Sequence, residues 1–263
     1  MTATATEPGA RDATTTVPTE RRTPRSVLGF LARPVFLAAV CVLLYLYIHG
    51  QRLDAIEKRS INRQVIVEAF VQHLELVGVS TLLVIVIAIP LGVLLTRHAL
   101  RPLVAPMLAL FNIGQAVPSI GILVLLAVAV GIGFQKAVLA LVLASALPVL
   151  RNTMVGLQGV DHTLIDAARG MGLSKTTVLF RVELPLAVPV MLAGLRVAVI
   201  LNVGTATLAT FTNAGGLGDL IESGIVFSRT PILLTGSVLT AVLALGLDWL
   251  LGLVERLVYP RGL

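Results

Sequence analysis

Few side chains in this sequence could do catalytic chemistry, and their spacing matches no catalytic motif. The four histidines are scattered without the spacing of metal ligands, and the single cysteine, Cys41, excludes an intrachain disulfide and a cysteine-based metal cluster. The run from Gly172 to Thr176 resembles the end of a phosphate-binding loop, but that loop needs glycine immediately before its lysine, where this chain has Ser174. We therefore expect that the chain is not an enzyme and holds no metal or cofactor of its own.

The most regular polar pattern lies between two apolar stretches, in residues 161–185. Thr163 followed three residues later by Asp166 predicts a capping box at the start of a short helix, and Gly172 predicts the left-handed residue that ends this helix. A serine two residues further on can cap a second short helix, and Pro185 suits the first turn of the apolar stretch that follows. We expect two short amphipathic helices joined by a tight turn.

Other polar residues lie inside the apolar stretches, where each needs a hydrogen-bond partner or a function. They either form hydrogen bonds between packed helices or, should the chain carry a solute across a membrane, are candidates for its path. The candidates are Asn112, Gln115, Ser119, Asn202, Thr205 and Thr207.

Two ionisable residues, Arg196 and Asp248, also lie within apolar stretches. Counted from Pro185 and from Val258, respectively, each lies roughly 15 Å deep at 1.5 Å per residue. Charges at this depth are expensive and usually find partners inside a helix bundle. We predict that the two pair as a structural tie, the alternative being that Arg196 extends to the membrane surface and Asp248 contacts water.

Apolar helices must position all of these residues. Of the 263 residues, 56% are hydrophobic and only 13% are charged, whereas a soluble domain has about 45–50% and about 25%. About twenty residues from Leu76 to Leu95 pass without a charge, which is enough to cross a bilayer. The sequence therefore predicts an all-α, multi-pass protein of the cell membrane. The net charge of +6 sits at the ends of the apolar stretches, which indicates orientation and not nucleic-acid binding.

The long apolar stretch from Leu103 to Gly133 decides the topology. Its roughly thirty residues are too long for one straight span and too short for two. As one helix kinked at Pro118 it leaves about thirteen basic residues on the cytoplasmic side and about six outside, a bias that two spans would remove. We therefore predict six spans, with both termini cytoplasmic.

These spans divide the chain into five segments. No small-x-small cleavage site follows the first apolar stretch, which favours an uncleaved helix over a secretory signal. We predict a disordered cytoplasmic tail at 1–26, a transmembrane helix at 27–49, an extracytoplasmic segment at 50–72, a transmembrane domain of five spans at 73–256, and a cytoplasmic tail at 257–263.

The segment 161–185, with its two predicted short helices, resembles the EAA loop of ATP-binding-cassette importer permeases. That loop has Glu-Ala-Ala, three residues, Gly, nine residues, Ile, one residue and Leu-Pro. This chain keeps every spacing, with Asp166-Ala167-Ala168, then Gly172, then Val182 and Leu184-Pro185, so that Asp replaces Glu and Val replaces Ile. A helix that merely rests on lipid would carry a Lys/Arg-rich face opposite bulky aromatics, whereas this loop has small alanines and a carboxylate. Docking of a cytoplasmic partner is therefore favoured.

Further segments resemble the branch of this family that imports osmoprotectants such as glycine betaine, choline and carnitine. They are residues 115–119, 147–153, 204–209 and 214–218. The Gly-Gly-Leu-Gly piece in the last of these is shared with methionine-type permeases, so an amino-acid importer stays open as an alternative. An ATP-independent secondary transporter is a weaker alternative, since neither a coupling-ion site nor an inverted repeat is evident.

The resemblance implies a multi-subunit importer embedded in the lipid bilayer. Two permease chains, either two copies or two related chains, would pair, two ATPase subunits would bind ATP and Mg and dock from the cytoplasm, and an extracytoplasmic binding protein would deliver the substrate. The short helix that starts near Leu164 would be the coupling helix, seated in a groove of the ATPase. The residues implied in this coupling are Thr163, Asp166, Ala167, Ala168, Met171, Gly172, Leu184 and Pro185.

Overall fold

The computed structural model describes residues 27–258, and this part of the chain is built from helices. The tails expected at the two ends of the chain lie mostly outside the described residues. The helices are α1 (Val27–His49), α2 (Ala55–Ser60), α3 (Arg63–Leu95), α4 (Val104–Ala116), α5 (Ser119–Val130), α6 (Phe134–Gln158), α7 (His162–Gly170), α8 (Lys175–Val178), α9 (Leu184–Ala206), α10 (Leu217–Val226) and α11 (Thr230–Val258). Short 3-10 helices cover His98–Leu103 and Thr207–Thr212, and a π-helical segment covers Leu179–Glu183.

Five helical stretches are long and apolar enough to cross a membrane, and α4 with α5 makes a sixth if the bent pair is one span. The five are Leu31–His49, Arg63–Leu95, Phe134–Gln158, Lys175–Thr212 and Thr230–Val258. The all-α, multi-pass prediction is therefore confirmed. The second span, α3, begins at Arg63, ten residues before the domain boundary expected at residue 73.

The stretch predicted as one kinked helix is instead two helices, α4 and α5, that meet at an angle of 94°. Between them Val117 is extended, with ψ 131°, because the ring of Pro118 disfavours helical geometry in the residue before it. Pro118 also has no N–H for the helical ladder, so α4 ends and α5 starts anew at Ser119. The position of the break was predicted correctly and its sharpness was not.

The core of the protein forms around α6, which packs against α3, α9, α4 and α5. Its buried face is rich in alanine, and on the facing α9 Gly194 allows the two backbones to come close. A Cβ atom on Gly194 would lie 2.6 Å from Cβ of Asn152 and 2.7 Å from the carbonyl oxygen of Pro148. Small residues at such contacts are what membrane helices use to pack tightly.

The first helix, α1, lies against α11 and outside this core. None of its apolar span is buried inside the protein. A short connection with α2 then leads into α3, and an ion pair between Asp54 and Arg229, at 2.8 Å, fastens this connection to the segment between α10 and α11. The helix α1 thus packs on the outside of the bundle; that it is an addition to the transmembrane domain stays a prediction.

Candidate functional site

The loop between α6 and α9 begins with the short helix α7. Its N-cap is Asp161, whose carboxylate accepts a hydrogen bond of 2.8 Å from the backbone N–H of Thr163. This bond holds the pKa of Asp161 below its ordinary value. The capping box predicted for Thr163 and Asp166 is therefore wrong, because a carboxylate two residues earlier reaches the free N–H group first, and aspartate caps at least as well as threonine.

The turn after α7 matches the prediction. Gly172 has φ +86°, in the left-handed region that favours glycine. Its N–H donates to the carbonyl of Arg169 at 2.9 Å, and the N–H of Leu173 donates to the carbonyl of Ala168 at 3.3 Å. These two bonds are the Schellman pair that closes a helix. Ser174 then caps α8, its hydroxyl accepting from the N–H of Thr177 at 3.2 Å.

The second short helix is not separate from the span that follows. The helix α8 continues through the π-helical segment into α9, so Lys175–Thr212 is one helical stretch of 38 residues. Pro185 lies in the first turn of α9, as expected. The half-buried Leu184 packs against a small apolar cluster that contains Leu157. The loop therefore holds one independent helix, α7, joined by a tight turn to the end of a long one.

The two alanines of α7 face different ways. Ala168 is 3% exposed and packs inside this chain, whereas Ala167 and Asp166 are exposed. Leu164 and Met171 are also exposed, at 44% and 75%. Of the two alanines that the resemblance implies in coupling, Ala168 therefore packs inside this chain and only Ala167 is exposed, together with Leu164 and Met171. The coupling role of these residues stays a prediction.

An ion pair that the sequence analysis missed fastens the base of this loop. Arg97, just after α3, places its guanidinium 2.6 Å from the carboxylate of Glu183, which is 8% exposed. The same guanidinium donates to the carbonyl of Val93 at 3.3 Å. The pair joins the ends of two helices that are 86 residues apart in sequence, so no local spacing could have pointed to it.

The polar residues proposed for a solute path fall into two groups. Asn112 lies on α4, where its side-chain oxygen accepts a bond of 2.8 Å from Arg151, while Gln115 is exposed and Ser119 half-buried at the break between α4 and α5. On and after α9, Asn202 is fully buried, Thr205 half-buried, and Thr207 donates to the carbonyl of Gly204 at 2.7 Å. Asn202 donates to the hydroxyl of Thr81 on α3 at 3.2 Å, a helix-packing contact.

The structure places Arg196 beside Asp248, with their closest charged atoms 2.7 Å apart. Arg196 also contacts Glu255 at 2.9 Å, and Arg33 of α1 lies 3.5 Å from Asp248. The expected pair is thus part of a group of four charges that links α1, α9 and α11. Its role as a structural tie stays a prediction.

A second contact that the sequence analysis missed lies at the other end of the bundle. Gly216 donates its N–H to the side-chain oxygen of Gln72 at 3.1 Å, and Leu217 donates to Nδ1 of His73 at 3.3 Å. Nε2 of His73, fully buried, lies 3.1 Å from the carbonyl of Val203 and is therefore the nitrogen that donates. These three contacts hold the Gly-Gly-Leu-Gly turn at residues 215–218, where α10 begins, against α3 and α9. The turn was recognised from the sequence, but the histidine that binds it was not.

Known proteins are similar to this chain along most of its length. Residues 88–259 match the family described as binding-protein-dependent transport system inner membrane component. The chain is 40% identical over 239 residues to the osmoprotectant import permease protein OsmY of Salmonella typhimurium, covering 91% of this chain and 98% of that protein. It is 38% identical over 200 residues to the carnitine transport permease protein OpuCD of Listeria monocytogenes, covering 76% and 89%.

A solved structure has the same fold. The chain superimposes on the inward-facing MetNI methionine ABC transporter with a TM-score of 0.65 and 28% sequence identity, covering 73% of this chain and 95% of that one.

Proposed function

The chain belongs to the family of inner-membrane components of binding-protein-dependent transport systems, and from this we propose that it is the permease subunit of an ATP-driven importer of osmoprotectants. The observation that carries the substrate class is the match to OsmY, which extends over 98% of that protein. Relatives named for carnitine and choline transport, at 38% and 36% identity, support the same class. Carnitine and choline both carry a quaternary ammonium group, so we propose small quaternary ammonium compounds, glycine betaine among them, as the substrates.

The permease supplies the passage, and other subunits supply substrate capture and energy. The family description itself calls for a substrate-binding protein. We propose two cytoplasmic ATPase subunits, which would hold ATP and Mg, and a second permease chain, either another copy or a related one. Aromatic residues make up only 5% of this chain, whereas tight sites for quaternary ammonium groups are usually aromatic cages. High-affinity selection is therefore assigned to the binding protein.

The helix α7 is proposed as the coupling helix that docks on an ATPase subunit. Its outward surface offers the exposed apolar side chains of Leu164 and Met171, which a partner would cover. The Schellman turn at Gly172 joins α7 firmly to the long stretch Lys175–Thr212, and the pair of Arg97 with Glu183 fastens that stretch to α3. A movement of α7 imposed by the ATPase would therefore reach the spans.

The proposed orientation places α7 and both termini in the cytoplasm. Single cysteines introduced at Lys136 and Ser228, in a Cys41→Ser background, should react in intact cells with a thiol reagent that does not cross membranes. A cysteine at Ser174 should react only after the membrane is opened. Labelling of the Ser174 cysteine in intact cells, with Lys136 silent, would reverse the topology.

Transport by the reconstituted complex tests the function as a whole. The permease, the ATPase and the binding protein are placed in proteoliposomes, and uptake of radiolabelled glycine betaine, choline and carnitine is measured with internal ATP and with a non-hydrolysable analogue. We expect uptake only with ATP. The second candidate function is that of an amino-acid importer, which the likeness to the methionine transporter supports. Uptake of methionine in preference to the quaternary ammonium compounds would favour it. Uptake that needs no ATP would indicate a secondary transporter and overturn the proposal.

A further inference from the structure

A cavity of about 400 Å³ lies where α1 ends and the chain turns toward α2. Its walls include Tyr45 and His49 from the last turns of α1, Arg52 and Leu53 from the connection, and Lys58 from α2. The rings of Tyr45 and His49 stack, with centroids 5.7 Å apart and planes at 15°, so this wall is already ordered. Because the cavity sits at the end of a membrane span, it lies at the boundary between hydrocarbon and water, where tyrosine is enriched.

The cavity carries positive charge that its surroundings do not neutralise. Arg52 and Lys58 line it, and neither side chain forms a hydrogen bond or an ion pair with any residue between 27 and 258. The two carboxylates nearest in sequence are engaged elsewhere: Asp54 and Glu57 cap α2 reciprocally at 2.8 and 2.9 Å, and Asp54 also pairs with Arg229. Among the described residues no carboxylate lines the cavity, so its charge favours an anion.

The other walls indicate what kind of anion. Ile48 and Leu53 give the cavity an apolar side, which inorganic phosphate would leave uncovered but the glycerol and first methylene groups of a lipid would fill. No residue of the α1 span is buried, so its exposed face would let lipid chains run alongside it up to the cavity. We propose that this cavity binds the phosphodiester headgroup of an anionic phospholipid, with Arg52 and Lys58 on the phosphate and Tyr45 and His49 beside the glycerol.

This assignment also accounts for a departure from the usual distribution of charge. Four basic residues, Arg52, Lys58, Arg59 and Arg63, crowd the connection between α1 and α3. In the proposed orientation this connection is extracytoplasmic, where the positive-inside rule disfavours them. Basic side chains at a membrane surface attract anionic headgroups, so a lipid site gives two of the four a binding partner.

Native mass spectrometry of the purified full-length chain tests the site. The protein is titrated with dioleoyl-phosphatidylglycerol, with dioleoyl-phosphatidylcholine and with inorganic phosphate, and the one-to-one adducts are counted. The test variant is Arg52→Gln with Lys58→Gln. The matched control is Arg59→Gln with Arg63→Gln, which removes the same charge from the same connection without touching the cavity lining. Melting temperatures without added lipid verify that both variants fold.

The expected result is a saturable phosphatidylglycerol adduct in the wild type and in the control. In the test variant the affinity should fall by about 25-fold, because each basic residue near an anionic membrane surface contributes a factor of about five. Equal losses in the two variants would mean diffuse attraction and would overturn the site. Phosphate competing as well as the lipid, or phosphatidylcholine binding equally, would overturn the assignment to an anionic lipid.

Discussion

Replacing Gly172 by valine tests whether the turn after α7 transmits force from a partner to the spans. A Cβ atom at Gly172 would have no heavy atom within 4 Å, so the side chain meets open space and the perturbation acts through the backbone alone. Gly170 also has open space around a Cβ, but it lies in the last turn of α7 with ordinary helical geometry. Gly170→Val is therefore the matched control, since it adds the same atoms two residues away.

The expected cost follows from the two ways in which the chain could respond. Keeping φ at +86° with a β-branched residue stores strain of roughly 1–3 kcal/mol. Escaping this strain gives up the bonds from Gly172 to Arg169 and from Leu173 to Ala168, each contributing about 0.5–1.5 kcal/mol. Both routes cost about the same, so the native turn should lose 1–3 kcal/mol, or roughly a factor of 5 to 150 in its population. Gly170→Val should cost almost nothing, because valine is at least as good as glycine in a helix.

Hydrogen exchange and transport together measure this effect. In Gly172→Val the amide of Leu173 should exchange faster by roughly the same 5- to 150-fold, and ATP-dependent uptake by the reconstituted complex should be lost or nearly so. The melting temperature should fall by no more than about 2–4 °C for each kcal/mol lost, so the variant still folds. Gly170→Val should resemble the wild type in all three measurements. If Gly172→Val also kept wild-type exchange and uptake, the reasoning that this turn couples α7 to the spans would fail.

Three further changes test other parts of the structure. Gly194→Ala should lower the free energy of unfolding by about 1–3 kcal/mol, since its Cβ would overlap Asn152 and Pro148, whereas Gly246→Ala, which meets open space, should not lower it. Asp248→Asn should lower the yield of folded protein, and adding Arg196→Gln should restore part of it, whereas additive losses would argue against the pair. Asp161→Ala should reduce the helicity of α7, seen as faster amide exchange, and Asp161→Asn should not. The pKa of Asp161 is lowered in the folded chain, so its contribution to α7 is present above its ordinary pKa and is lost as the pH falls through the lowered value.

Features set by neighbouring residues could be predicted from the sequence. The turn at Gly172 and the cap at Ser174 depend on residues within five positions of each other, and both are found where the spacing placed them. The start of α7 was misplaced because Asp161 and Thr163 are both good caps, and only the folded backbone decides which one reaches a free N–H group. Pro118 likewise marked a break, but the angle of the break depends on how α4 and α5 pack against α6.

Features that join distant segments could not be predicted. Arg97 and Glu183 are 86 residues apart, and His73 and Leu217 are 144 apart, so their contacts exist only once the helices have been arranged. The pairing of Arg196 with Asp248 was expected only because two charges buried in a membrane have few other partners. The same argument did not reveal Glu255, which lies nearer the end of its helix, where a charge needs no partner.

The continuous helical stretch Lys175–Thr212 is longer than the membrane is thick. Its 38 residues would extend about 57 Å at 1.5 Å each, nearly twice the thickness of the hydrocarbon core. Gly194, where α9 is pressed against α6, lies nineteen residues from one end and eighteen from the other. If this stretch moves as one body about that contact, a sideways displacement of about an ångström at the α7 end would produce about an ångström in the opposite direction at the far end. Opening on one side of the membrane and closing on the other would then be one motion, as the proposed import mechanism requires.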